Sequence, residues 1–322
     1  MDYSILNGKK VIVTGATGLI GKAIVKKLLT LNAEVIAIVR DKIKAENIFG
    51  YRSENIRYVV SDICSLKPVN FNADYIIHAA AQTSSKAFVI EPVETIMTSI
   101  IGTKNMLELA RVNPVKSFVY LSSMEIYGSH NTDDKIDEHH SSYLDTMDVR
   151  SSYPESKRMC ENLCRSYAAE FGIPSKVVRL TQTFGPGVQY NDTRVFAEFA
   201  RAVIEKKDII LQTKGETKRN YLYIDDAVSA ILMVLLIGKI GEAYNAANEQ
   251  TYCSIYEMAC MVASKCANGK IKVITNVESS TTRGFAPTLK MNLSTSKLCD
   301  LGWKAKVDLI DMFNRMIEDM RQ

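Results

Sequence analysis

The sequence lacks an apolar run long enough to cross a bilayer: the longest, Ala230–Ile237, falls far short of the ~20 residues a spanning helix needs. It also shows no charged leader followed by an apolar stretch, so a cytoplasmic protein with no membrane partner is expected. Charge of one sign is scarce as well. The formal net charge is +4, with Lys, Arg, Asp and Glu interleaved, which leaves no basic stripe for nucleic acid. The seven cysteines (Cys64, Cys160, Cys164, Cys253, Cys260, Cys266 and Cys299) are odd in number and contain no C-x-x-C pair. That argues against a disulfide framework and a zinc site, and leaves reduced, buried thiols as the expectation. His139 and His140, beside Asp137 and Glu138, lack the spacing of a metal site and are expected as solvated loop residues, so no metal is assigned. Internal repeats and long Gly/Ser/Pro linkers are missing too.

What is present is 322 residues, 47% of them hydrophobic, enough for a full core. The first half alternates β-branched runs (Lys10–Thr14, Glu34–Val39, Ile56–Val60, Tyr75–His78, Lys116–Leu121, Ser175–Leu180) with helical patterns at Leu19–Leu31, Val93–Val112 and Tyr153–Phe171. Near-continuous apolar strands alternating with helices predict a parallel sheet covered on both faces. The rhythm changes after Leu180: a helix near Arg194–Glu205, short strands within Ile209–Ile224, and helices near Ser254–Cys266 and Asp308–Met320 are expected. The fold class is therefore α/β, a Rossmann-type doubly wound parallel sheet with a smaller C-terminal substrate-binding lobe. Residues 1–180 form the dinucleotide-binding domain in this reading, and 181–322 mainly the lobe, interleaved with it.

Directly after the first strand comes Gly15-Ala16-Thr17-Gly18-Leu19-Ile20-Gly21. Glycines at this spacing let the backbone turn tightly and approach a pyrophosphate, while the following helix offers its N-terminal N–H groups. Gly15, Thr17, Gly18, Leu19, Ile20 and Gly21 are the candidate cofactor contacts. The second strand ends at Val39-Arg40 with no carboxylate for a ribose 2′-hydroxyl, and an arginine there suits a 2′-phosphate, so NADP is favoured over NAD. Asp62 and Ile63, after the third strand, stand where an adenine amino group would be bound, although a turn-forming Asp62 is nearly as good a reading.

Tyr153 and Lys157 share a helix face at i,i+4. A nearby ammonium and an oxidised nicotinamide would favour the phenolate and make it a usable acid/base at neutral pH. The fifth strand ends in Leu121-Ser122-Ser123-Met124-Glu125-Ile126-Tyr127-Gly128 at the carboxyl edge of the sheet. Ser123 is placed to hydrogen-bond a reacting hydroxyl, and Ser122 is assigned to local backbone bonding.

With these residues, and with His78-Ala79-Ala80-Ala81, Arg179–Gly187, Arg219–Asp226 and Leu301-Gly302-Trp303 in the same order, the chain resembles the extended short-chain dehydrogenase/reductase family, specifically its nucleotide-sugar epimerases, dehydratases, decarboxylases and 4-keto reductases. The resemblance implies that Tyr153 is the acid/base, that Lys157 binds the nicotinamide ribose and lowers the tyrosine pKa, and that Ser123 completes the triad. It places Ala79, Ala80 and Ala81 along the nicotinamide side. Gln182, Arg219 and Arg283 fall at substrate positions, the two arginines on the diphosphate of a nucleotide-diphosphate sugar. Ser99 and Gln182 depart from the asparagines many relatives carry. A homodimer through the Val93–Val112 and Tyr153–Phe171 helices is implied as well.

Glu125 decides the chemistry, because dehydrating and decarboxylating relatives carry a glutamate there; Met124 stands where dehydratases place an acid. The favoured reading is NAD(P)-dependent hydride transfer at sugar C4, by a 4-keto-6-deoxyhexose reductase or 4-epimerase. The alternative is a 4,6-dehydratase or decarboxylase using Glu125. A catalytically silent scaffold is opposed by the complete Ser123, Tyr153 and Lys157 set.

Overall fold

In the computed structural model, residues 2–50, 54–277 and 288–322 are described. The first half runs β1 (Lys10–Thr14), α1 (Leu19–Thr30), β2 (Glu34–Val39), α2 (Lys42–Phe49), β3 (Ile56–Val60), β4 (Tyr75–His78), α3 (Ala87–Ile90), α4 (Pro92–Val112) and β5 (Ser117–Ser123). A two-residue strand β6 (Lys135–Ile136) precedes α5 (Ser152–Phe171) and β7 (Ser175–Leu180). The strand positions in this half agree with the sequence reading, apart from β5, which starts one residue later, at Ser117, and runs two residues further, through Ser123. That extension carries the candidate serine on the last residue of a strand rather than in a loop.

The sheet order is β11-β7-β5-β4-β1-β2-β3, where β11 is Ala243–Ala246, and every pairing is parallel. The direction of winding reverses between β1 and β4, the place where open parallel sheets bind ligands. The two faces of β1 explain its unbroken apolar sequence. Val11 and Val13 face a core with Ile24, Val25 and Leu28 of α1, and Ile12 faces a second core with Met106, Leu107 and Phe118. Burying each such side chain contributes about 1.5–3 kcal/mol, so both helical layers are held by the same strands.

Beyond β7 the chain forms β8 (Gln182–Phe184), α6 (Val195–Glu205), β9 (Ile209–Leu211), β10 (Lys218–Tyr223), α7 (Ile224–Ile237), then β11, β12 (Asn248–Ser254) and α8 (Ile255–Met261). The helix expected through Cys266 changes to a π-helix at Val262–Cys266. Last come β13 (Val273–Thr275), β14 (Lys290–Leu293), α9 (Ser296–Cys299) and α10 (Leu309–Met320). A second sheet runs β12-β10-β14-β6, with β8 also paired to β10. Phe184, Phe196, Phe199 and Phe313 anchor a third core there. After β8 the chain returns to the first sheet: α7 packs on its α1 face and β11 becomes its edge strand.

Candidate functional site

The glycine turn lies at the reversal of strand order. Gly15 has φ +64°, and a Cβ on it would come within 2.8 Å of the Ala79 carbonyl and the Ala80 nitrogen. A Cβ on Gly21 would run into the Gly15 carbonyl oxygen. α1 has Gly18 as its N-cap with no side-chain cap, so its first-turn N–H groups keep their donor capacity. Backbone this close, without side chains, and a helix start free of a side-chain cap suit a pyrophosphate. The residues present therefore fit a dinucleotide.

At the far end of that cleft, Arg40 is exposed after β2, and Asp41 is engaged as N-cap of α2, accepting from Lys44 N–H at 2.9 Å. Asp62 is exposed and accepts from Cys64 N–H at 2.7 Å, the turn geometry. Ile63 is buried.

Tyr153 and Lys157 are both buried in the first turns of α5. The Tyr153 phenol is hydrogen-bonded with Ser123 and sits near Glu125 and Arg150. Its other face is covered by Phe88, whose ring stacks at 4.2 Å and 8°. Ser152 Oγ donates to the Phe88 carbonyl at 2.9 Å and pins the segment carrying that ring. Burial raises the phenol pKa well above its ordinary value; the Glu125 charge adds to the rise, and the Ser123 bond and Arg150 oppose it. The expected lowering by Lys157 is therefore not a feature of the protein alone. Lys157 Nζ instead donates to the Leu121 carbonyl at 2.7 Å, lies 4.6 Å from the Tyr120 ring centre, and has its pKa lowered to about 8 by burial.

Ser123 caps the short 3₁₀ turn Met124–Tyr127, accepting from Glu125 N–H at 3.2 Å. That turn directs Glu125 to the Arg150 guanidinium, with an ion pair of 3.1 Å. Met124 is buried, and Thr181 Oγ1 lies 3.2 Å from its sulfur. Ser122 does not make the local backbone bond expected of it: among the described residues its buried hydroxyl has no partner. The backbone groups beside it on β5 and β7 are engaged in the parallel ladder.

Gln182 on β8 and Arg219 on β10 lie on adjacent strands, Gln182 pairing with Tyr221, and both are half-buried. Arg283 lies outside the described residues. His140 Nδ1 is hydrogen-bonded with the exposed Asp137 carboxylate at 2.8 Å, and no His/Cys/Asp/Glu cluster able to hold a metal occurs among the described residues. Arg150 and Phe88 were not singled out from sequence. Arg150, three residues before Tyr153, was readable only as a charged loop residue, and Phe88 sits in a one-turn helix too short for periodicity.

A glycine turn at the reversal of a parallel sheet, with a buried Tyr/Lys pair and a serine at the adjoining strand end, defines a dinucleotide-binding oxidoreductase fold. A model of the NAD dependent epimerase/dehydratase family matches residues 11–247, and the chain belongs to that family, in the nucleotide-sugar branch of the extended short-chain dehydrogenases/reductases. UDP-glucuronic acid decarboxylase 6 of Arabidopsis thaliana is 30% identical over 323 residues, 97% of this chain and 89% of that protein. UDP-glucuronic acid decarboxylase 1 of Xenopus tropicalis is 27% identical over 319 residues, 98% of this chain and 72% of that one. A solved UDP-N-acetylglucosamine 4-epimerase from Methanobrevibacter ruminantium shares the fold at a TM-score of 0.84 and 21% identity, covering 98% and 99% of the two chains. No helix among the described residues is long and apolar enough to cross a membrane.

Proposed function

We propose that the enzyme oxidises a UDP-sugar at C4 and uses the resulting ketone to act at C5, with decarboxylation of a glucuronate-type sugar as the reaction. The observation that carries this reading is the Glu125 carboxylate, held by Arg150 beside the Tyr153 phenol. Transfer at C4 alone, which the sequence favoured, needs only Tyr153 and its partners. A carboxylate beside that phenol makes the phenolate harder to form, so its presence suits a second acid/base task. The named relatives support the same choice.

A nicotinamide bound along Ala79, Ala80 and Ala81, with Lys157 toward its ribose, would accept and return hydrogen at C4. Tyr153 takes the proton of the C4 hydroxyl, and Ser123 holds that oxygen. Once C4 is a ketone, a C6 carboxylate is β to it and leaves as carbon dioxide, its bonding electrons passing to C5 and the C4 oxygen. Glu125 is the group placed to serve the proton that C5 then gains. Arg150 gives the cleft a cation for a sugar carboxylate. Dehydration would need an acid for the departing hydroxyl, and Met124 has no proton to give; carbon dioxide departs without one.

Gln182, Arg219 and Arg283 are the proposed substrate contacts, drawn mainly from residues 181–322. Arg40 beside a committed Asp41 leaves room for a 2′-phosphate, so NADP is proposed to bind at least as well as NAD. Val93 and Met97, exposed on one face of α4, and exposed Met159 on α5 support pairing of two copies; light scattering reads the mass directly. For the reaction, incubation with UDP-glucuronate should yield a UDP-pentose and carbon dioxide without net cofactor consumption. Formation of a C4 isomer, or stoichiometric loss of NADPH, would restore the hydride-transfer reading.

A further inference from the structure

Thr14 ends β1 and His78 ends β4, and the two are register partners across the reversal of the sheet. These strand ends flank the crevice in which open parallel sheets bind their ligands. The bridge between them is a chain of hydrogen bonds whose direction follows from counting protons. Thr14 Oγ1 accepts from the N–H groups of Ala79 at 3.1 Å and Ala80 at 3.0 Å. A hydroxyl has one proton and two acceptor positions, so the Thr14 proton goes to His78 Nδ1, 2.7 Å away. The ring is therefore the Nε2–H tautomer, and it donates to Thr103 Oγ1 at 3.2 Å. Thr103 bonds the Cys160 thiol, which donates to the Ser99 carbonyl at 3.2 Å. Thr14, His78, Thr103, Cys160 and Ser99 are all buried, and the chain passes through α5 at Cys160, about one turn past Lys157, to end on α4 at Ser99.

An imidazole protonated on both nitrogens would offer Thr14 no acceptor and break this arrangement. Burial, with the Lys157 charge adding to it, keeps the ring neutral by lowering its pKa to about 3. The loops it joins have no slack, since a single methyl on Gly15 would already strike Ala79 and Ala80.

We propose that His78 and Thr14 are positioning residues for the dinucleotide: neutral His78, in one tautomer, keeps the Thr14 hydroxyl as acceptor for Ala79 and Ala80, clamping the β4 loop against Gly15. The inference rests on the reading that a nicotinamide dinucleotide occupies this cleft. It assigns a role to the His78 side chain and explains a buried thiol otherwise readable as helix packing.

The test is titration of the purified protein with NADH and NADPH, followed by fluorescence, and with UDP as a second ligand. Thr14→Val leaves two N–H groups and one ring nitrogen unpaired and releases the β4 loop from Thr14, so dinucleotide affinity should fall at least about tenfold. UDP affinity should stay within about twofold of the native protein, because Arg219, proposed for the diphosphate, lies on β10 and not at the β1 or β4 ends. Thr14→Ser keeps the hydroxyl and should restore dinucleotide binding; His78→Leu should match Thr14→Val. His78→Asn, which keeps an acceptor for Thr14 but loses the reach to Thr103, should fall between, and it decides the matter if Thr14→Val does not fold. Native dinucleotide affinity in Thr14→Val, His78→Leu or His78→Asn overturns the proposal. A native protein that binds neither NADH nor NADPH instead defeats the functional reading on which it rests.

Discussion

Arg150 and Glu125, 25 residues apart in sequence, meet in an ion pair of 3.1 Å beside the Tyr153 phenol. The pair places opposite charges on the two sides of one titration. Glu125 disfavours the phenolate and Arg150 favours it, so the two substitutions have opposite signs.

Replacing Glu125 by Gln removes the charge that raises the phenol pKa. The acid limb of C4 oxidation should move to lower pH, while formation of the UDP-pentose falls by about 10²-fold or more through loss of the group that serves the C5 proton. Arg150→Met should move that limb to higher pH. Single-turnover appearance of reduced cofactor against pH, with product analysis, reads both effects; limbs that do not move would remove Glu125 from the site.

Phe88 covers one face of the Tyr153 ring at 4.2 Å. An aromatic pair contributes about 0.5–1.5 kcal/mol beyond burial, so Phe88→Leu should lower kcat about 2- to 10-fold by loosening the ring. KM should stay near its native value, and Phe88→Tyr should retain most of the rate. Equal changes in kcat and KM would count against an orienting role.

The buried, neutral His78 has a consequence for stability. Its folded pKa of about 3 lies below the ordinary 6.5, so between these values the unfolded chain binds more protons than the folded one. Stability contributed above pH 6.5 is lost as pH falls through this window, at about 1.4 kcal/mol per pH unit from this group. Denaturant melts should show a shallower acid slope for His78→Gln than for the native protein.

Gly21→Ala places a methyl against the Gly15 carbonyl oxygen inside a fixed turn. Overpacking of this kind costs about 1–3 kcal/mol, so a lowered Tm together with weaker dinucleotide binding is expected. Gly50→Ala, where a Cβ meets nothing within 4 Å, is the comparison that separates steric conflict from backbone strain.

The parallel sheet was legible because strands buried on both faces are unbroken apolar runs, as β1, β2 and β4 show. The glycine turn was legible because its spacing reports backbone geometry directly. β11 was not, since Ala243–Ala246 is four residues long and follows a stretch read as lobe. Tyr153, Lys157 and Ser123 stood out by type and spacing, while their surroundings did not. Arg150 finds Glu125 across a loop, and Phe88 reaches Tyr153 from a one-turn helix, so neither contact leaves a periodic trace. The surroundings of the Tyr153 phenol were legible only in part for a related reason: spacing revealed the Lys157 ammonium but neither the depth of burial nor the Glu125 charge.

The most direct test of the account is Tyr153→Phe, measured for dinucleotide affinity and for turnover of UDP-glucuronate. Removing one oxygen from a ring still stacked on Phe88 should leave affinity within about twofold, while turnover falls by 10²-fold to about 10⁴-fold. Turnover at the native rate would contradict the assignment of this phenol as the group that exchanges the C4 proton.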